Sequence, residues 1–283
     1  MAMLIDGKKI SAEIKEELKS EVTALKEQGT EVTLAVIQIG NDPASTVYVG
    51  NKKKACEFIG IRSLAYELPE DTSEEKLLAL VDELNAREDV NGILVQLPLP
   101  EGMDEDLILR RISPMKDVDG FHPMNVGLLN IGQEGFVSCT PAGVIELLKR
   151  SGIEIEGKEC VVLGRSNIVG KPMAALLLRE NGTVTICHSR TKDVKSITKR
   201  ADILVAAVGK RGFVTADYIK EGAVVIDVGI HRNEMNKLCG DVVFEEAEKK
   251  ASAITPVPGG VGPMTIAMLM SNCVKAAKMQ KGI

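Results

Sequence analysis

The sequence predicts an α/β protein of two α/β domains, each built on a mostly parallel sheet. Three observations carry this. Short apolar, β-branched runs alternate with segments of helical period along most of the 283 residues. In the second half such runs recur at 159–163, 183–187, 203–208 and 223–228, the spacing of a Rossmann-type sheet. The stretch Cys160–Arg190 reads as strand, glycine turn, helix and second strand, the unit that opens a dinucleotide-binding fold.

The elements follow in order. Ile10, Ile14, Leu18, Val22 and Leu25 share one helical face, which predicts an amphipathic helix over 8–28 ended by Gly29. Val32–Ile39 is an apolar strand. Asn41-Asp42-Pro43 turns, and Ser45 is placed to cap a helix to about Phe58, closed by Gly60. Ile61–Leu68 is a strand. Ser73 caps a helix whose buried stripe is Leu77, Leu78, Val81 and Leu84. Ile93–Leu97 is a strand that Pro98 and Pro100 terminate. Residues 126–138 show no clear period. Thr140-Pro141 is a cap and first helical residue for a helix to about Lys149. Pro256–Pro263 is a Pro/Gly loop, and Thr265–Met279 is the last helix. The expected domains are 1–139, completed by the C-terminal helix 266–283, and 140–265, with a cleft of variable opening between them.

Composition excludes several classes. The net charge is −5, with 27% charged residues and no Trp, so neither a basic nucleic-acid surface nor an aromatic stacking platform is expected. No run has the ~20 apolar residues of a membrane span, and the N-terminus lacks a signal-like stretch. Cys56, Cys139, Cys160, Cys187, Cys239 and Cys273 form no C-x-x-C pair and mostly sit in apolar runs, as reduced cysteines of a cytoplasmic protein do. His122, His188 and His231 have no metal-ligand spacing, so no metal is expected.

The cofactor reading rests on two positions. Gly164 permits a tight turn after the first strand, followed by Arg165-Ser166-Asn167, and Gly170 permits close packing of helix on strand. At the end of the second strand an NAD binder carries an acid for the ribose hydroxyl. Here the strand ends in His188-Ser189-Arg190, donors and a cation suited to a 2′-phosphate, with Arg165 as a second cation. The expected cofactor is NADP; the alternative is that both arginines are solvated loop charges.

Other residues suited to chemistry stand at the carboxyl ends of the first domain's strands, where ligands of parallel sheets bind. Tyr48 and Lys52 are four apart and share a helix face. A Tyr can pack on and orient a flat substrate, and a Lys in a cleft can transfer protons. Spacing alone favours an exposed Lys in the run Lys52–Lys54. Gln96 is a polar residue in an apolar strand, equally suited to a ligand or a nearby backbone group. Of Asp117 and Asp119, in KDVDG, at least one is a turn former and either could bind a heterocycle. The loop PGGVGPMT, with Gly259-Gly260, permits close approach to a ligand or acts as a hinge.

Together YVGNK (48–52), GILVQLPLP (92–100), KDVDGF (116–121), GRSNIVGKP (164–172) and PGGVGPMT (258–265) resemble the bifunctional methylenetetrahydrofolate dehydrogenase/cyclohydrolase (FolD) family, in matching order over nearly the whole chain. The match is weakest over Asn233–Leu238. The resemblance implies oxidation of 5,10-methylenetetrahydrofolate with NADP, then hydrolysis to 10-formyltetrahydrofolate. It implies Lys52 as acid/base, Gln96 as its hydrogen-bond partner, Tyr48 as the residue that orients folate and Asp119 as the grip on the pterin. It assigns Gly164, Arg165, Ser166, Gly170, Ser189, Arg190 and Ile230 to the cofactor, and Gly259 and Gly260 to a position near nicotinamide and folate. It also implies a homodimer through the Rossmann domain. The rival readings are a member with one of the two activities, an NADP-dependent dehydrogenase of another small substrate, and a Rossmann-type binding protein without turnover. The set Tyr48, Lys52, Gln96 and Asp119 argues against the last.

Overall fold

The computed structural model describes residues 2–283. It divides into two compact units, one of Ala12–Val137 with Ile266–Ile283, the other of Met1–Ser11 with Ser138–Thr265. The chain opens with β1 (Met3–Leu4) and α1 (Gly7–Glu27). In the first unit follow β2 (Thr33–Ile39), α2 (Pro43–Ile59), β3 (Arg62–Leu68), α3 (Glu74–Ala86), β4 (Gly92–Val95), α4 (Glu105–Arg111) and α5 (Pro123–Asn130).

The sheet of this unit is parallel, in the order β3-β2-β4. All seven residues of β2 are buried, as a central strand with both faces covered requires. Ile37, Ile93 and Val95 pack with Leu77, Val81 and Leu84 of α3 and Ile108 of α4. Truncating Ile37 or Leu84 to Ala would cost about 2–5 kcal/mol. Ile14, Leu18, Val22 and Leu25 of α1 are buried, the stripe that the period predicts.

The second unit holds α6 (Cys139–Arg150), β5 (Glu159–Leu163), α7 (Gly170–Arg179), β6 (Thr183–Cys187), α8 (Val194–Thr198), β7 (Ile203–Ala206), a 3₁₀ turn (Ala216–Tyr218) and β8 (Val224–Asp227). Then come β9 (His231–Arg232), β10 (Leu238–Cys239), α9 (Phe244–Ala247), β11 (Ala253–Ile254) and α10 (Val261–Lys281). The main sheet is parallel throughout, in the order β1-β11-β8-β7-β5-β6. After the edge strand β1 the chain returns to this sheet at β5, then adds β6 on one side and β7 on the other. The order therefore reverses between β5 and β7, the switch point where such sheets bind ligands.

Several elements differ from expectation. Residues 2–11 cluster with the sheet of the second unit, because β1 pairs with β11 and the Ile5 N–H donates to Ile254 O at 2.9 Å. A two-residue strand carries no period by which it could be recognised. Asp42, not Ser45, caps α2, its carboxylate accepting from the Ser45 N–H at 2.8 Å. α5 runs into the stretch 126–138 that shows no period; Pro123 opens it and His122 Nδ1 accepts from the Met124 N–H. α6 begins one residue before Thr140, whose hydroxyl pairs with that of Thr265 at 2.9 Å. α10 begins at Val261, with Pro263 in its first turn, where a missing N–H costs nothing. The poorly matching stretch Asn233–Leu238 lies between and within β9 and β10, an antiparallel pair whose turn is set by Asn233 Oδ1 accepting from the Met235 and Lys237 N–H groups.

Candidate active site

In the first unit, α2 brings Tyr48 and Lys52 onto one face. Lys52 is 8% exposed, whereas Lys53 and Lys54 are exposed. That separates Lys52 from the solvated run around it. Its Nζ donates to Gln96 Oε1 at 2.9 Å. Gln96 lies just past β4, where its N–H still pairs with Ile37 O at 2.8 Å before the cis Leu97–Pro98 bond turns the chain. Its Nε2 donates to Leu97 O at 2.6 Å. A carbonyl can only accept, so this bond fixes the amide orientation and leaves Oε1 for the lysine. Tyr48 is half-buried, and burial raises its phenol above the ordinary value, so the hydroxyl keeps its proton.

Asp117 and Asp119 separate into two roles. Asp117 is buried and accepts from the N–H groups of Phe121 (3.2 Å) and His122 (2.8 Å) and from Asn125 Nδ2 (2.8 Å). It is the turn former. Burial pushes its carboxyl above the usual carboxylate pKa range, against these three donors. Asp119 is half-buried in the same loop. The loop is fixed from both sides. Lys116 Nζ reaches the carbonyls of Leu84, Asn85 and Arg87 at the end of α3, at 3.1, 2.9 and 2.6 Å. Asn272 of α10 donates to Val118 O at 2.8 Å and Val137 O at 3.0 Å. Asp119 and Lys52 both act electrostatically on the fully buried Cys273, whose thiol is pushed well up, first by burial. The sequence reading did not single out Lys116 or Asn272. A buried Lys that binds backbone carbonyls has the same sequence signature as a solvated one.

In the second unit, Gly164 follows β5 with φ +125°, and a Cβ there would overlap Ala207 O. A Cβ on Gly170 would overlap the Gly164 carbonyl group, so α7 packs directly on the turn. Ser166 Oγ accepts from the Val169 and Gly170 N–H groups at 3.2 and 3.3 Å and so satisfies the first N–H of α7. Arg165, Ser189 and Arg190 are exposed at the carboxyl ends of β5 and β6. The turn after β6 is set by the Arg190 N–H donating to His188 Nδ1 at 3.1 Å and the His188 N–H donating to Thr191 Oγ1 at 2.9 Å. Residues 188–192 contain no acid. This donor set, with the cradle at Gly164, fits a dinucleotide bearing a 2′-phosphate. Ile230 is 44% exposed in the loop after β8. Gly259 and Gly260 precede α10, and Gly259 O accepts from the Lys8 N–H at 3.0 Å.

Residues 5–119 match the family model of the tetrahydrofolate dehydrogenase/cyclohydrolase catalytic domain, and residues 138–281 match that of its NAD(P)-binding domain. The chain belongs to the tetrahydrofolate dehydrogenase/cyclohydrolase family. A relative from Lachnoclostridium phytofermentans, named bifunctional protein FolD, is 73% identical over 98% of this chain and 99% of its own. The crystal structure of the bifunctional enzyme FolD, methylenetetrahydrofolate dehydrogenase/cyclohydrolase, from Campylobacter jejuni superposes with a TM-score of 0.97 at 55% identity, covering 99% of both chains. The Trypanosoma brucei FolD structure, a complex with NADP cofactor and inhibitor, gives 0.94 at 42% identity, over 100% of this chain and 99% of that one.

In this family member no group of three or more His, Cys, Asp or Glu side chains is placed to hold a metal among the described residues. No helix there is long and apolar enough to cross a membrane. All six cysteines are thiols, and burial pushes Cys56 up to about 12 and Cys160 up to about 11, so neither is a nucleophile.

Proposed function

We propose that this chain oxidises 5,10-methylenetetrahydrofolate to 5,10-methenyltetrahydrofolate with NADP and hydrolyses that product to 10-formyltetrahydrofolate. The observation that carries the reading is the Lys52–Gln96 pair: a buried lysine, one turn from a half-buried tyrosine, held at 2.9 Å by an amide whose orientation is fixed. NADP, when bound, supplies the hydride acceptor of the first step.

The residues of the chain divide the rest of the work. Tyr48 packs on and orients the folate, with its protonated hydroxyl as a donor. Asp119 binds donors of the pterin ring from the loop that Lys116 and Asn272 hold in place. Hydration of the methenyl carbon takes both protons from the attacking water, one delivered to the ring nitrogen whose bond to that carbon breaks and one released to solvent. Lys52 takes a proton from the water and delivers one to that nitrogen, and Gln96 keeps its Nζ at the reacting carbon. Arg165, Ser189 and Arg190 receive the 2′-phosphate, and Gly164, Ser166, Gly170 and Ile230 frame the rest of the cofactor. The Gly259-Gly260 turn supplies backbone for close approach of the ligands.

The chain works as a homodimer through its second unit. β6 is the last strand of the sheet order and packs against α7; Ile186 on β6 and Leu178 on α7 are 38% and 66% exposed. An apolar strand edge of this kind is suited to pairing with a second copy. The thiol state of all six cysteines supports a cytoplasmic location. The test is a spectrophotometric assay of purified protein with methylenetetrahydrofolate and NADP, then with methenyltetrahydrofolate alone. Turnover in both supports the reading; hydride transfer without hydrolysis reduces it to a single-activity enzyme, and neither removes it.

A further inference from the structure

Two buried carboxylates lie outside the set described above. Asp227 ends β8 and is 4% exposed; Asp241 follows β10 and is fully buried. Asp241 Oδ2 accepts from the N–H groups of Val208 and Gly209 at 2.7 and 3.0 Å, and its Oδ1 accepts from the Lys210 N–H at 2.9 Å. His231 Nε2 lies 2.7 Å from the same Oδ1. Asp227 accepts in turn from the N–H groups of Gly229, Asp241 and Val242, at 3.0, 2.9 and 3.0 Å. The two side chains thus tie together the loop after β7, the loop after β8 and the chain leaving β10. Burying two neighbouring carboxylates is costly, and a fold that needed only stability would be served by apolar groups.

The place of this node in the sheet gives it a role. The dinucleotide crosses the switch point between β5 and β7. Its 2′-phosphate lies on the β6 side, by the proposed function on which this step rests. The nicotinamide half therefore lies over the ends of β7 and β8, the two loops that Asp241 and Asp227 hold, with Ile230 in the second. We propose that Asp241, braced by Asp227, is a positioning residue for the nicotinamide half of the cofactor site. It touches no ligand; it fixes the 208–210 backbone and, through His231, the loop that carries Ile230.

A residue on the nicotinamide side acts on NADP and NAD alike, whereas a phosphate-binding residue acts on NADP alone. Asp241→Asn puts an amide N–H₂ against backbone donors and should release at least one loop. The test measures Kd for NADP and for NAD by calorimetry, amide hydrogen exchange at 208–210, and hydrolysis of methenyltetrahydrofolate, which consumes no cofactor. The expected result is affinity for both cofactors weakened about tenfold, faster exchange at 208–210 and continued hydrolysis. Unchanged affinities overturn the proposal, and so does a loss confined to NADP. If Asp241→Asn shows no cooperative melting, His231→Ala decides. It removes one bond to the carboxylate from a side chain that is 23% exposed and should weaken both cofactors about threefold; no change refutes the role. A parent protein that binds neither cofactor overturns the functional reading and this proposal with it, whereas a binding parent with an unaffected variant overturns this proposal alone.

Discussion

Cofactor choice is set by a small number of exposed charges, which makes Arg165→Ala informative. Arg165 stands in the turn after β5, exposed, and Ser189 and Arg190 stand exposed after β6. A charge-assisted hydrogen bond to a phosphate contributes about 1.5–3 kcal/mol. The exposure of Arg165 places it at the lower end, because water and salt screen the pair. A loss of about 1.5 kcal/mol corresponds to roughly a tenfold rise in the Michaelis constant for NADP. Since NAD has no 2′-phosphate, its Michaelis constant should stay within about twofold of the parent's, a change below 0.5 kcal/mol. The assay is initial-rate oxidation of methylenetetrahydrofolate with each cofactor at two salt concentrations. The NADP preference should shrink as salt rises in the parent and fall less steeply in the variant, where Arg190 alone carries the charge. Equal effects on both cofactors would refute the phosphate assignment and place Arg165 in the general framing of the turn.

Two further outcomes follow from the buried carboxylates. Asp117→Ala leaves the N–H groups of Phe121 and His122 and the Asn125 amide without their acceptor. It should cost about 3 kcal/mol and lower the melting temperature by roughly 6–12 °C, read by calorimetry; a shift below about 2 °C would show that the loop does not depend on it. Asp227 is raised from 3.8 to about 6, chiefly by burial, with three backbone donors and Asp241 acting as smaller causes. The folded protein binds that proton more tightly than the unfolded chain. The associated stabilisation is therefore present below pH 3.8 and lost as pH rises through about 6. Against Asp227→Asn, the parent should lose about 3 kcal/mol of unfolding free energy over that window, measured by denaturant titration at several pH values. A difference that does not vary with pH would show that folding leaves the proton affinity of Asp227 unchanged.

The parts of the fold read correctly from the sequence are those with a long period or a strong stop signal. The α1 stripe, the apolar run of β2 and the strand–glycine–helix unit at 160–187 belong to this class. The missed elements are short. β1 and β11 have two residues each, and α5 is set by Pro123 and a histidine cap rather than by a stripe. Asp42 and Ser45 are equally suited by type to cap α2, and only the backbone direction chooses between them. Within the candidate site, Lys52 and Gln96 could be singled out as residue types at strand and helix ends, but their bond could not, since it joins positions 44 residues apart. Asp117 and Asp119 are alike in sequence and differ only in which one the loop turns inward. Asp241 gave no signal, because a carboxylate that organises backbone N–H groups from a distant loop looks like any polar residue after a short strand.

The central claim is that Lys52 is the proton-transfer group of the hydrolysis step, and Lys52→Met tests it most directly. Methionine keeps the length and apolar stem that burial at 8% exposure requires, and removes the amine that Gln96 holds at 2.9 Å. General acid–base groups contribute about 10²–10⁴-fold. The variant should hydrolyse methenyltetrahydrofolate slower by about that factor, retain the parent's affinity for NADP, and lose less of its dehydrogenase activity, because hydride transfer depends mainly on alignment. Hydrolysis at the parent rate would contradict the account and return Lys52 to the status of a buried structural lysine.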